Sequence, residues 1–258
     1  MDQIHPLLPK PPFAIALVAP KGSGKSTIIY NMVSRPDFYY KRFDQVWMLS
    51  PTFYLDDTYA KIRLDPQKVV TDIHKFTDVM TKIIKSVEDN IEFIRRRVQI
   101  TAQAHGWDKD RINEEIDRQK HESLDRILII IDDAVGIKAL ERGSLITNSF
   151  TRHRHLYISF LYAIQLYKAM PTAVRVNLSA IVIFNIPNRG ELKKIVEEQA
   201  AGVDDKTWLA LYNHATDDKY SFLYINYKHE TYRYFKCFNT PLVVNTAAVK
   251  KPVDITDL

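Results

Sequence analysis

The apolar residues of this chain follow two rules. Some form short unbroken runs that stop on polar residues or proline; others recur every three or four positions. The unbroken runs predict strands buried on both faces of a parallel sheet: 12–19 (PFAIALVA), 45–51 (QVWMLSP), 126–133 (RILIIIDD), 156–165 (LYISFLYAIQ) and 179–187 (SAIVIFNIP). Helices are predicted for KSTIIYNMVSR, directly after the first run, and over 136–149, 171–178, 191–200 and 204–214. A much longer amphipathic helix starts at Ile73 and keeps its period to Val98. AHGWD breaks it, and KDRINEEIDRQKHES reads as a charged return helix, so 73–123 is expected to be an inserted helical hairpin. Near the end, YSFLYINY and ETYRYFKCF flank KH as a β-hairpin.

Strands alternating with helices predict an α/β domain with a mostly parallel central sheet, expected to span 13–238 as one unit. A short extended arm with four prolines (1–12) would precede it and an extended tail (239–258) would follow. Ligands of such sheets bind beyond the carboxyl ends of the strands. The polar residues that end each run are therefore the candidates for chemistry.

The first run leads into Ala19-Pro20-Lys21-Gly22-Ser23-Gly24-Lys25-Ser26-Thr27. Apart from Ala19 in place of the first glycine, this is the phosphate-loop fingerprint G-x-x-x-x-G-K-[ST]. Its successive backbone N–H groups and the helix behind them form a nest for phosphate oxygens. Gly22 and Gly24 allow the turn, Lys25 brings a point charge to the β- and γ-phosphates, and Ser26 can ligate Mg²⁺. Ala19 is tolerable where that residue is not left-handed. The strand before and the helix after set the stretch apart from a chance Gly-Lys-Ser in a surface turn.

The run 126–133 ends on Asp132 and Asp133. Beside a phosphate loop, Asp132 would hold Mg²⁺ through water and Asp133 would orient or deprotonate the attacking water; the plainer reading is a pair of carboxylates capping the next helix. Asp133 is one methylene shorter than the glutamate many related ATPases carry. Gln165 ends another run, placed either to sense the γ-phosphate or to satisfy a strand end. Arg152 and Arg154, in TRHRH, precede that run at its amino end. Ten extended residues span about 33 Å, so these arginines should lie far from their own nucleotide. They could reach a neighbouring subunit's nucleotide as an arginine finger, or be solvated surface charge; Arg142 is a third candidate. The histidines there have no metal-ligand spacing.

Composition adds limits. Across 258 residues, Lys plus Arg number 36 against 31 Asp plus Glu, a net charge of +5 that permits a polyanionic partner without requiring one. The single cysteine, Cys237, excludes an intramolecular disulfide and suits a reducing compartment. No apolar run approaches the ~18 residues of a membrane span. The start lacks the apolar core of a secretory signal, so neither a membrane span nor secretion is expected. With the loop beginning by Ala19, no domain is expected ahead of it.

Taken together, APKGSGKST, ILIIIDDA and TRHRHLYISFLYAIQLYKAMPTAVRVNLSAIVIF resemble the viral genome-packaging ATPases of the FtsK–HerA superfamily, in particular the poxvirus-like branch of large DNA viruses. In that group a strand ends in glutamine, a short helix with an arginine and an asparagine follows, and another strand comes soon after; Gln165, Arg175 and Asn177 keep this order, and LSPT after the second strand agrees. The resemblance covers about 12–194. It implies a RecA-like core that binds ATP and Mg²⁺, forms a homo-oligomeric ring and drives double-stranded DNA into a preformed capsid at its portal. Such a protein would act at the virus assembly site, in the host-cell cytoplasm or the virion. It also implies that Lys25 and Ser26 bind phosphate and Mg²⁺, Asp132 binds Mg²⁺, Asp133 activates water and Gln165 is the sensor, with Arg152 nearest the family's arginine finger and Arg154 beside it. No membrane anchor like that of cellular FtsK proteins is expected, and the resemblance assigns no role to the insertion or to its basic IRRRV stretch. Other P-loop functions compete. A nucleoside or nucleotide kinase would need an arginine-bearing lid, a GTPase an Asn-Lys-x-Asp motif, and neither is evident; an ATP-binding assembly protein without turnover stays open because Asp133 replaces glutamate.

Overall fold

A computed structural model describes residues 4–133, 145–200 and 202–243. Most of the predicted helix at 136–149, with Arg142, and the end of the tail lie outside these. Among the described residues nine strands form one sheet: β1 (Ala14–Val18), β2 (Gln45–Leu49), β3 (Val69–Val70), β4 (Ile127–Asp132), β5 (Ile158–Ile164), β6 (Ala180–Phe184), β7 (Phe222–Asn226), β8 (Tyr234–Lys236) and β9 (Thr240–Leu242). Their order is β3-β2-β4-β5-β1-β6-β7-β8-β9. Pairing is parallel from β3 through β6 and antiparallel from β6 to β9. The expected hairpin is β7–β8, and β9 adds a third antiparallel strand where the tail was expected to begin.

Because successive side chains of a strand point to opposite faces, each buried run feeds two cores. Ala14, Ala16 and Val18 of β1, with Ile127, Ile129 and Ile131 of β4, face one apolar layer; Ile15 and Leu17, with Leu128 and Ile130, face the other. The second layer is closed by α1 (Lys25–Ser34), through Ile28, Ile29 and Met32, and by the N-terminal segment around the buried Leu8. That segment does more than extend: Tyr39 and Tyr224 donate their hydroxyls to the carbonyls of Pro9 and Leu7 at 2.7 and 2.8 Å.

The first layer is covered by α2 (Phe76–His105), α4 (Leu145–Arg152), α6 (Arg189–Gln199) and α7 (Asp205–Ala215). The predicted hairpin is present as α2 and α3 (Lys109–Ser123), joined at Gly106, whose left-handed φ of 63° ends α2. Its first helix is part of the main core rather than an appendage. Phe76, Met80, Ile84, Val87, Ile94 and Val98 sit one face apart in helical period, all buried in the first layer. Burying each such side chain contributes roughly 1.5–3 kcal/mol. By contrast, α3 buries no residue fully. The arginines of IRRRV stay on the solvent side, where Arg96 pairs with Glu92 and Arg97 donates to Gln119. Between β5 and β6 runs α5 (Thr172–Arg175), shorter than the helix predicted over 171–178.

Candidate nucleotide site

The carboxyl ends of β1, β4 and β5 lie side by side, with Val18 opposite Ile164 and Asp132 opposite Ala163. Strand alternation then decides which polar residues meet. Asp132 follows Leu128 and Ile130 on the face toward α1, and Gln165 follows Leu161 and Ala163 on that same face. The loop between β1 and α1 brings Lys25 to them. Lys25 Nζ lies 3.0 Å from Asp132 Oδ1 and 3.4 Å from Asp133 Oδ1, and Gln165 Nε2 donates to Asp133 Oδ1 at 2.5 Å. The sequence-predicted Lys25, Asp132, Asp133 and Gln165 are thus one cluster.

The loop itself has the backbone its glycines allow. Gly22 and Gly24 have φ of 79° and 96°, values that side-chain-bearing residues rarely adopt. Gly24 is the N-cap of α1 and no side chain caps the helix, so the first-turn N–H groups remain available to an anion. Ala19 is different. It is fully buried in the layer under α1, its N–H donates to Ile164 at 3.0 Å, and its φ is not positive. It therefore continues the β1 ladder and does not face the nest.

Asp133 has a φ of 54°, one of five positive values among described non-glycine residues. Aspartate is among the side chains that tolerate this region best. The turn swings the carboxylate out of the alternation of β4, toward Gln165 and Lys25. Asp132 stays deep, its residue 3% exposed. Burial pushes its carboxyl above the usual range, against the pull of Lys25 and the Tyr59 hydroxyl.

Two further residues come from the segment after β2, which sequence reading left unassigned. Asp56 accepts the Ser26 hydroxyl at 2.6 Å and the Thr58 N–H at 2.8 Å. Burial opposes the ionisation of Asp56, but those bonds outweigh it and its pKa lies below the ordinary value. Tyr59, with no exposed surface, donates to Asp132 Oδ2 at 2.6 Å and stacks on Phe53 at a 5.7 Å centroid distance. Burial and the adjoining Asp132 carboxylate push its phenol well up, so it stays a donor. The signal was available: LSPTFYLDDTYA lies beyond a strand's carboxyl end, where polar residues are candidates. Tyr59→Phe should lower turnover several-fold and the melting temperature by a few degrees, since one bond to a buried carboxylate is worth about 1.5–3 kcal/mol. Parallel phosphate-release and thermal-unfolding measurements would check both.

The donors around Ser26 are a hydroxyl and carboxylates, the oxygen set that a hard divalent cation takes. Asp132 Oδ1, though ion-paired with Lys25, receives no hydrogen bond. Among the described residues no three or more His, Cys, Asp or Glu side chains form a metal-holding group. Mg²⁺ keeps waters and substrate oxygens as most of its shell, so it needs few protein oxygens.

Arg152 and Arg154 fall at the other end of β5. Arg152 ends α4 and pairs with Glu88 of α2 at 2.5 Å. Arg154 makes no ion pair among the described residues and lines a 630 Å³ cleft together with Lys10, Lys228 and His229. The seven residues of β5, about 23 Å when extended, separate both arginines from Lys25. Arg175 is committed to Glu198 at 2.8 Å, and Asn177 bonds back to Ala173.

The sequence family described as Poxvirus A32 protein matches residues 5–228. The chain belongs to that family. Its resemblance to viral packaging ATPases of the FtsK–HerA superfamily therefore stands. In fold it is similar to the genome packaging NTPase B204 of Sulfolobus turreted icosahedral virus 2 bound to ATP-gammaS, with TM-score 0.53, 15% identity, and coverage of 84% of this chain and 94% of that one. A second structure, the DNA-packaging ATPase B204 from Sulfolobus Turreted Icosahedral Virus, matches at TM-score 0.52 and 15% identity, covering 84% and 93%. At these identities the likeness concerns the fold, an α/β core shared with P-loop ATPases. No curated protein sequence matches the chain.

Proposed function

We propose that this protein is the ATP-hydrolysing motor that packages double-stranded DNA into a viral capsid, acting as a homo-oligomeric ring at the portal. The observation that carries the reading is the convergence of Lys25, Asp132, Asp133 and Gln165 beside an uncapped helix N-terminus, in a chain of the A32 family. Both B204 structures named above are of packaging NTPases, one of them holding an ATP analogue.

The loop 19–27 cradles the phosphates, and Lys25 moves from its carboxylates to the β- and γ-oxygens as the nucleotide enters. Ser26 and Asp132 would hold Mg²⁺, which when bound neutralises charge on the phosphate oxygens. Tyr59 fixes the Asp132 carboxylate, and Asp56 holds the Ser26 hydroxyl in place. Asp133 takes the proton of the attacking water. Gln165 and Lys25 both hold Asp133 Oδ1, so the proton would go to Oδ2. Arg154, without an ion pair among the described residues, suits the neighbour's nucleotide better than Arg152, which is tied to Glu88. The protein would work at the assembly site in host cytoplasm; no helix among the described residues is long and apolar enough to cross a membrane.

The kinase alternative is not favoured, because the family and the packaging NTPases similar in fold both support a motor. ATP turnover measured with and without duplex DNA, alongside solution mass, tests the motor. Stimulation by DNA that fades as salt rises is expected, since backbone contacts release counterions. Turnover indifferent to DNA at low salt would overturn the reading.

A further inference from the structure

Sheet order fixes which way a nucleotide must lie. The groups that face the γ-phosphate, Asp132, Asp133 and Gln165, come from β4 and β5, on one side of β1. A triphosphate threaded through the loop after β1 therefore sends its ribose and base to the other side, over the ends of β6 and β7. Phe184 pairs with Phe222 there, so the turn preceding β7 stands at the same end of the sheet as the phosphate loop.

That turn carries Tyr220. Its ring lies against Gly24, with Cδ1 3.5 Å from where a Cβ on that glycine would be. Tyr220 is 57% exposed, and its backbone is left-handed at φ 68°, an unusual state for a bulky side chain. The turn is held from below. Asp218 and Ser221 bond each other through N–H, hydroxyl and carbonyl at 2.7–3.1 Å, and Lys236 of β8 pairs with both Asp217 and Asp218. The Lys219 ammonium sits 4.9 Å from the ring centroid. The fold thus fixes an exposed aromatic ring, in a strained backbone, beside the phosphate loop and on the side where the base must emerge.

We infer that Tyr220 is the shelf on which the purine base of the bound nucleotide stacks, a positioning residue for the ATPase site. The inference rests on the reading of that site as a nucleotide site. Base–aromatic stacking needs only a π-face on each partner, so it would hold the base without reading its edge.

The test compares Tyr220→Gly and Tyr220→Phe with the unaltered protein, measuring Kd for ATP and for inorganic tripolyphosphate by calorimetry. Glycine accepts the left-handed backbone freely, so it removes the ring without straining the turn; a thermal melt confirms folding. The expected result is ATP binding about 10-fold weaker in Tyr220→Gly, near normal in Tyr220→Phe, and tripolyphosphate binding unchanged in both. Unaltered ATP affinity in Tyr220→Gly would overturn the proposal. Equal weakening of ATP and tripolyphosphate would also overturn it, assigning Tyr220 to loop support. Tripolyphosphate binding that also survives Lys25→Ala would instead count against the phosphate-loop reading, which separates the two failures.

Discussion

Lys25→Ala is expected to lower ATP turnover by about 10²–10³-fold, the loss that follows removal of one preorganised group aimed at developing transition-state charge. The loss has two sources here. The ammonium is the only cation placed within 4 Å of Asp132 and Asp133 among the described residues. Without it, the phosphates lose a direct partner and also approach two uncompensated carboxylates. The buried Asp132, already pushed up by burial, would be driven further toward its protonated form. Binding should therefore weaken along with the chemical step, and kcat/KM should fall more than kcat. Phosphate release under ATP saturation, with a thermal melt to confirm folding, makes the comparison. Turnover within a few-fold of the unaltered protein would remove Lys25 from the phosphate site.

Asp133→Asn is expected to cut kcat by 10²–10⁴-fold, the range that general-base catalysis supplies, while leaving ATP affinity nearly intact. Asparagine matches aspartate in size and tolerates the same left-handed backbone, and its carbonyl can still accept from Gln165. What it cannot do is accept the water's proton. A single-turnover measurement beside an equilibrium binding measurement separates these effects. If kcat were unchanged, Asp133 would be an anchor for Gln165 and Lys25, and the base would have to be sought elsewhere. The shorter reach of aspartate relative to glutamate is met here by the backbone, because the φ of 54° re-aims the carboxylate.

β1, β4, β5 and β6 were legible because each is a run buried on both faces, and such runs admit few other readings. Lys25, Asp132 and Gln165 were legible with them, since a run's polar terminus marks the sheet end where ligands sit. The segment after β2 was not. From Phe53 to Lys68 it is three short 3₁₀ turns with no apolar period, one of them started by the Asp65 carboxylate accepting the Gln67 N–H. Hydrophobic patterning therefore had nothing to report about Asp56 and Tyr59. Tyr220 was hidden differently. YSFLYINY reads as one strand from its first tyrosine, but the strand begins at Phe222 and the tyrosine belongs to the turn. The helix predicted to end at 149 also runs further, since α4 continues through Arg152. The helical hairpin was legible as helices, yet its place in the core was not, because amphipathic spacing says that a face is buried and not against what.

β5 has a further consequence. All seven of its residues are buried, and it is bonded along its length to β1 and β4, so it can move only together with the sheet. One tip leads to Gln165, which donates to Asp133 in the proposed nucleotide site; just before the other lies Arg154. In a ring that sets Arg154 against the next subunit's nucleotide, one continuous sheet would join the two sites with no hinge between them.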